Sequence, residues 1–135
     1  MLIVVVVFFL TKEQVMVNLH IFRHAETLDL SAGETIFEQG ERGTAMYVVA
    51  EGEVEILSGP VVLETARSGS VVGEMALIDH APRSATAVAK TDCKLVAVDQ
   101  RRFEFLVQQT PYFALEVMQL MAERLRTANS RIVAA

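Results

Sequence analysis

All seven glycines of the chain, Gly33, Gly40, Gly43, Gly52, Gly59, Gly69 and Gly73, stand between short runs rich in β-branched residues. Ile36-Phe37, Met46-Tyr47-Val48-Val49, Val54-Glu55-Ile56-Leu57, Val61-Val62-Leu63, Ala85 to Ala89 and Leu95-Val96-Ala97-Val98 are short and apolar or alternating. Between them, Ala32-Gly33-Glu34, Gln39 to Gly43, Glu51-Gly52, Ser58-Gly59-Pro60 and Ser68-Gly69-Ser70 supply the flexible or preset backbone that turns need. Strands this short, with turns at nearly regular intervals, predict an antiparallel sandwich or jelly roll.

From Asp99 onward the spacing becomes helical. Asp99 is suited to an N-cap, with Phe103, Leu106 and Val107 on one apolar face. Thr110-Pro111 restarts the chain, proline fitting a first helical position, and Phe113, Val117, Leu120, Met121 and Leu125 form a second stripe with Glu116, Glu123, Arg124 and Arg126 largely off it. At the other end, Met1 to Leu10 is wholly apolar, but a spanning helix needs about 20 residues. The segment also lacks the basic flank and cleavage site of a secretory signal. It reads as a buried strand, a partner-facing segment or the end of a truncated membrane span. Thr11 with Gln14 forms a capping box for a helix carrying Val15, Leu19 and Phe22 on one face. The chain thus divides into an N-terminal apolar segment and helix (1–24), a strand-rich middle (25–99) and C-terminal helices (100–135).

At 135 residues and 52% hydrophobic content the chain can fill one core. Its formal net charge of -5 argues against direct nucleic-acid binding, which needs a concentrated basic face. Arg101-Arg102 is the only adjacent basic pair and reads as a solvated helix start. The single cysteine, Cys93, excludes an intramolecular disulfide and a cysteine-ligated iron–sulfur cluster, and reads as a small buried hydrophobe. A cytoplasmic location is expected.

The chemistry is concentrated in Val72-Gly73-Glu74-Met75-Ala76-Leu77-Ile78 and, a few residues on, Pro82-Arg83-Ser84-Ala85-Thr86. Gly73 lets backbone approach a ligand closely, and the residues after it can form one helical turn with free N–H groups. Arg83 supplies a planar, permanently charged fork for phosphate oxygens. One arginine and a helix turn balance the single charge of a phosphodiester without a metal. Glu74 would repel that phosphate unless its oxygens serve another group, and a sugar hydroxyl is the natural partner. Together these residues point to a nucleotide.

Here the chain resembles the cyclic nucleotide-binding domain family, whose phosphate-binding cassette reads much like residues 72–86, and the resemblance extends over roughly Leu28 to Leu125. It implies a mainly β fold with flanking α: an antiparallel β-roll with an N-terminal helix, C-terminal helices and a short cassette helix. It further implies that Glu74 takes the ribose 2′-hydroxyl, that Arg83 pairs with the cyclic phosphate, and that backbone around Ala76, Leu77, Ser84 and Ala85 completes the cradle. Val72, Gly73 and Met75 complete the expected cassette contacts. Serine at position 84 leans towards cyclic AMP over cyclic GMP. The last helix is expected to act as a lid, with Arg124 stacking over the base in preference to Arg126 and Val61, Val62 and Leu63 as a floor. The alternatives are a cyclic GMP domain of the same type and a β-roll that binds no ligand and serves protein interaction.

A second motif points to a different class. Arg23-His24-Ala25-Glu26-Thr27 resembles the Arg-His-Gly-Glu-Thr signature of the histidine phosphatase superfamily, with Ala25 in place of glycine. That chemistry requires a second catalytic histidine and an α/β sheet with crossover helices, which the strand pattern does not supply. His80, in the cassette loop, reads as a solvated residue and not as a haem ligand. No catalytic residue, resident cofactor or metal is expected, and the chain reads as a sensor, not an enzyme. With the last residue at Ala135 no DNA-binding domain is expected after the helices. The output then passes to a protein effector, to a homodimer, or to an effector domain of a longer parent chain such as a channel or transporter.

Overall fold

The computed structural model describes residues 16–134; the apolar stretch Met1 to Leu10, Thr11, Gln14 and Val15 lie outside the described residues. Eight strands, β1 (Leu28–Leu30), β2 (Thr35–Phe37), β3 (Ala45–Glu51), β4 (Val54–Ser58), β5 (Val61–Ala66), β6 (Val71–Val72), β7 (Thr86–Ala89) and β8 (Cys93–Asp99), make two four-stranded sheets. Their orders are β1-β8-β3-β6 and β2-β7-β4-β5, and every pairing is antiparallel. Helix α1 (Glu74–Ile78) sits between β6 and β7, and α2 (Gln100–Gln109) and α3 (Pro111–Ala134) follow the last strand.

Burial explains why the first sheet's strands read as continuous apolar runs. Along β3 and β8, Met46, Val48, Val96 and Val98 face the helices, while Val49, Cys93 and Leu95 face the second sheet. A strand covered on both faces has no polar side to alternate with. The helical side of this core holds Phe113, 0% exposed, with its ring edge-on to Phe22 and Phe103 at centroid distances of 5.9 and 5.7 Å. Val117 and Leu120 extend that contact along α3, whereas Leu125, expected on the same stripe, is exposed.

The helix boundaries follow their caps. The Asp99 side chain accepts from the Arg102 N–H at 2.8 Å and opens α2. Pro111 is the first residue of α3, where its missing N–H costs nothing. Arg102 is not a solvated helix-start residue as expected: it is half-buried, and its Nη1 donates to the Ala97 carbonyl at 3.1 Å. Cys93 is buried beside the Glu53 and Thr91 carbonyls.

Two expectations need correction. In place of a helix carrying Leu19 and Phe22 there is a 3₁₀ turn over Leu19–Phe22, because the Asn18 side chain accepts from the His20 N–H at 3.0 Å and starts a new turn there. Val61 and Val62, expected in the floor of the base site, open the edge strand β5 and stand 58% and 46% exposed. Among the described residues, no helix is long and apolar enough to cross a membrane.

Candidate functional site

A cavity of about 680 Å³ opens between the second sheet, the cassette and α3, within the range of small-molecule sites. Val72, Gly73, Glu74, Met75, Ala76, Arg83, Ser84, Ala85 and Arg124 all line it. Leu77 does not: its side chain points the other way, into the core beneath α3. Phe37, Ile56, Leu63 and Glu64 complete the sheet wall, and Met121, Ala122, Leu125, Thr127, Ala128 and Arg131 the helix wall.

Glycine at position 73 is demanded by its backbone, which turns at φ 77° to start α1. A Cβ there would also lie 2.5 Å from Nη1 of Arg83 and 3.0 Å from the Phe37 ring. Arg83 is held in that space. Its Nη1 donates to the Gly73 carbonyl at 3.0 Å, and its guanidinium lies 4.3 Å from the centre of the Phe37 ring and 5.9 Å from that of Tyr47. The Arg83 N–H donates to the Glu41 carbonyl at 2.8 Å and its carbonyl accepts from Gly40, which fixes the loop that carries it. Gly43 makes room from below, since a Cβ there would overlap the guanidinium.

Glu74 and Arg83 are the only buried charged residues among the described residues, at 7% and 5% exposure. They do not pair with each other. Glu74 Oε1 accepts from Arg124 Nη1 at 2.9 Å. Arg124 also grips Glu64 with Nε and Nη2, at 3.0 and 2.9 Å, and its Nη2 donates to Ser70 Oγ at 3.2 Å and to the Val71 carbonyl. Burial works against the charged form of Arg124, but the Glu64 hydrogen bonds and the charges of Glu74 and Glu64 outweigh it and hold the guanidinium above its usual value. Arg124 therefore sits at the pocket wall with its donors committed to carboxylates, and Arg126 is outside the lining, paired with Glu123.

Arg83 is in the opposite condition. Of its five guanidinium N–H donors, the one bonded to Gly73 is the only one with a protein partner among the described residues, and it has no carboxylate. No buried side-chain nitrogen or oxygen among those residues is left without a partner, so the remaining donors open to the cavity. A buried cation without a counter-charge is costly. The site is thus prepared for an anion beside an acidic group.

The floor differs from the expected one. Only Leu63 of the Val61-Val62-Leu63 run reaches the cavity. The pairing of β4 with β5 shifts between Ile56↔Glu64 and Leu57↔Val62, leaving Leu63 as an extra residue, so that Leu63 and Glu64 both face the site. The Leu63 carbonyl accepts from Arg131 Nη2, which ties the far part of α3 to the bulge. Sequence reading missed Phe37, Gly43 and Glu64 as site residues. Phe37 and Gly43 sit in ordinary strand and turn patterns, and a bulge leaves no trace in a run such as Val61 to Ala66. The signal for Glu64 was a carboxylate inside that apolar run.

The histidine-centred motif is not assembled into a site. His20 and His24 are exposed in and after the 3₁₀ turn, Arg23 Nη1 donates to the His20 carbonyl at 3.0 Å, and the sheets are antiparallel throughout. His80 is exposed at φ 59° in the cassette loop. Among the described residues no group of histidine, cysteine, aspartate or glutamate is placed to hold a metal ion.

Comparison with known proteins points to one family. A family model described as the cyclic nucleotide-binding domain matches residues 27–110. A cyclic AMP receptor protein of Thermus thermophilus is 38% identical over 102 residues, covering 72% of this chain and 47% of the relative. A putative potassium channel protein of Rhodopseudomonas palustris is 33% identical over 111 residues, covering 78% of this chain and 26% of the relative. The crystal structure of Thermus thermophilus catabolite activator protein superposes with a TM-score of 0.71 at 32% identity, covering 81% of this chain and 54% of that one. The chain spans less than half the length of these two curated relatives.

Proposed function

This chain belongs to the cyclic nucleotide-binding domain family, and from that premise we propose that it is a sensor for cyclic AMP in preference to cyclic GMP, working by binding and not by catalysis. The observation that carries the reading is the buried, carboxylate-free guanidinium of Arg83 facing a cavity that also contains Glu74. A cyclic phosphate would supply the missing counter-charge, with two oxygens for the fork of donors. Glu74 would accept from the ribose 2′-hydroxyl, and Ser84, exposed on the same wall, would add a hydroxyl donor. The apolar lining of Ile56, Leu63, Met121 and Leu125 suits a purine, and the name of the Thermus relative favours adenine.

The signal would pass through α3. This helix forms one wall of the cavity and is tied to the roll by Arg124 and Arg131, so a ligand in the cavity touches both sides of a hinge-like contact. Binding shifts an equilibrium only by preferring one arrangement of that helix. The partner is a second copy of the chain or an effector domain. Leu115, Met118, Ala122 and Leu125 are exposed along α3 at spacings of three, four and three, the repeat of a two-helix seam.

Calorimetric titration with cyclic AMP, cyclic GMP and 5′-AMP tests the reading. Saturable binding of cyclic AMP that is tighter than that of the other two, and is lost in Arg83→Ala, supports it. Tighter binding of cyclic GMP would correct the base, and no binding by any of the three would leave a β-roll whose partners are proteins.

A further inference from the structure

Two arginines face one cavity, and they differ in how their charge is met. Arg83 has no carboxylate, while Arg124 has two, Glu64 and Glu74. Guanidinium and carboxylate groups favour the parallel two-bond arrangement, and Arg124 adopts it with only one of its two partners. Its Nε and Nη2 reach Glu64 Oε1 and Oε2 at 3.0 and 2.9 Å. Nη2 is occupied further by Ser70 Oγ and the Val71 carbonyl. Only Nη1 is left to reach Glu74, and it does so on Oε1 alone at 2.9 Å.

The second oxygen of Glu74 is therefore unoccupied by protein. Oε2 has no hydrogen-bond partner among the described residues, and no buried oxygen there lacks one, so Oε2 opens to the cavity that Glu74 lines. Resting on the nucleotide reading above, we propose that Glu64 is a positioning residue for sugar recognition: by holding the Nε–Nη2 edge of Arg124 it keeps that arginine from closing over both oxygens of Glu74, and so reserves Oε2 for a ribose hydroxyl. The residue is in place because of the β5 bulge, which turns Glu64 into the cavity after Leu63. Without Glu64, Arg124 has one carboxylate left. Its Nη1–Nη2 edge then swings onto Glu74, and the sugar hydroxyl must compete with a charged donor pair for an acceptor.

Removing Glu64 also removes a negative charge from the cavity, and this alone would favour any anionic ligand. The two effects separate in one ratio. The charge effect acts equally on cyclic AMP and 2′-deoxy cyclic AMP, whereas loss of the acceptor acts only on the ligand with the hydroxyl. A ratio taken on one sample is also insensitive to the fraction of protein that is folded.

The experiment titrates the protein and its Glu64→Gln variant with cyclic AMP and with 2′-deoxy cyclic AMP, and repeats the pair in an Arg124→Met background. A hydrogen bond to a charged acceptor corresponds to roughly tenfold or more in affinity, so wild type should prefer cyclic AMP by about that factor. In Glu64→Gln the preference should fall to about threefold or less. In the Arg124→Met background the same substitution should not change the ratio, because no arginine remains to be misplaced. An unchanged ratio in Glu64→Gln, with wild type binding normally, overturns the positioning role and leaves the nucleotide reading intact. An equal drop in both backgrounds also overturns it, since Glu64 would then act on the ligand directly. Absence of wild-type binding to either ligand removes the nucleotide reading and this inference together.

Discussion

The guanidinium of Arg83 occupies the space that a Cβ on Gly43 would fill, although the two residues are forty positions apart and lie in different loops. Gly43 has no positive φ, so alanine is compatible with its backbone. The end of an arginine side chain gives way more easily than backbone. Gly43→Ala is therefore expected to move Arg83 and spare the fold, reducing nucleotide affinity by about 1–3 kcal/mol, the scale of overpacking a filled site. Calorimetry and thermal melting on the same variant check this. A fall in melting temperature with unchanged affinity would show that the loop, and not the arginine, yields.

Arg83→Ala removes the sole carboxylate-free buried cation of the site and leaves a desolvated phosphate unpaired, a loss of about 2–5 kcal/mol in binding. Glu74→Ala removes one acceptor, and its cost is smaller, about 1.5–3 kcal/mol. Arg83→Lys is expected to recover little, because an ammonium cannot present the planar fork or stack on Phe37. Titration of the three variants with cyclic AMP gives the order, and a larger loss at Glu74 than at Arg83 would contradict the assignment of the phosphate to Arg83.

Phe113 connects α3 to everything beneath it, with Phe22 and Phe103 on its edges and no solvent exposure. Phe113→Ala should cost about 3–5 kcal/mol of folding stability. That is a large part of the roughly 5–15 kcal/mol available to a domain. Urea unfolding monitored by circular dichroism measures it, and a loss below about 1 kcal/mol would mean that the neighbouring rings close the cavity.

The sequence discloses the parts of this fold that are local. Six of the eight strands coincide with the short apolar runs of the sequence, and the Asp99 cap and Pro111 start mark α2 and α3 because caps are short-range chemistry. β1 and β6 are not among the strands read from the sequence: β1 alternates over only Leu-Asp-Leu, and β6 runs straight into the cassette. The cassette was legible for the same reason as the caps, since Gly73, Glu74 and Arg83 lie within eleven positions. What was hidden depends on distant residues meeting. Arg124 finds Glu64 and Glu74 across sixty and fifty residues. Gly43 reads as a turn glycine until Arg83 is seen against it.

Ligand binding is expected to tighten α3 unevenly along its length. Phe113, Val117 and Leu120 are packed in the core and do not line the cavity, so the first turns of the helix are anchored by burial. Beyond them the hold is polar: Arg124 to Glu64, Glu74, Ser70 and Val71, then Arg131 to the Leu63 carbonyl. Arg131 is exposed, and a single exposed contact holds a helix end weakly. Hydrogen exchange should accordingly show little change at 113–117 and a gain in protection from 121 onward when cyclic AMP is added. Arg124→Met in the absence of ligand should have the opposite effect over the same residues. To move the helix from almost wholly open to almost wholly closed, the nucleotide must prefer the closed form by about 10⁴-fold, so a graded response at saturation would indicate a smaller preference. Unchanged protection under saturating ligand would remove α3 from the signal.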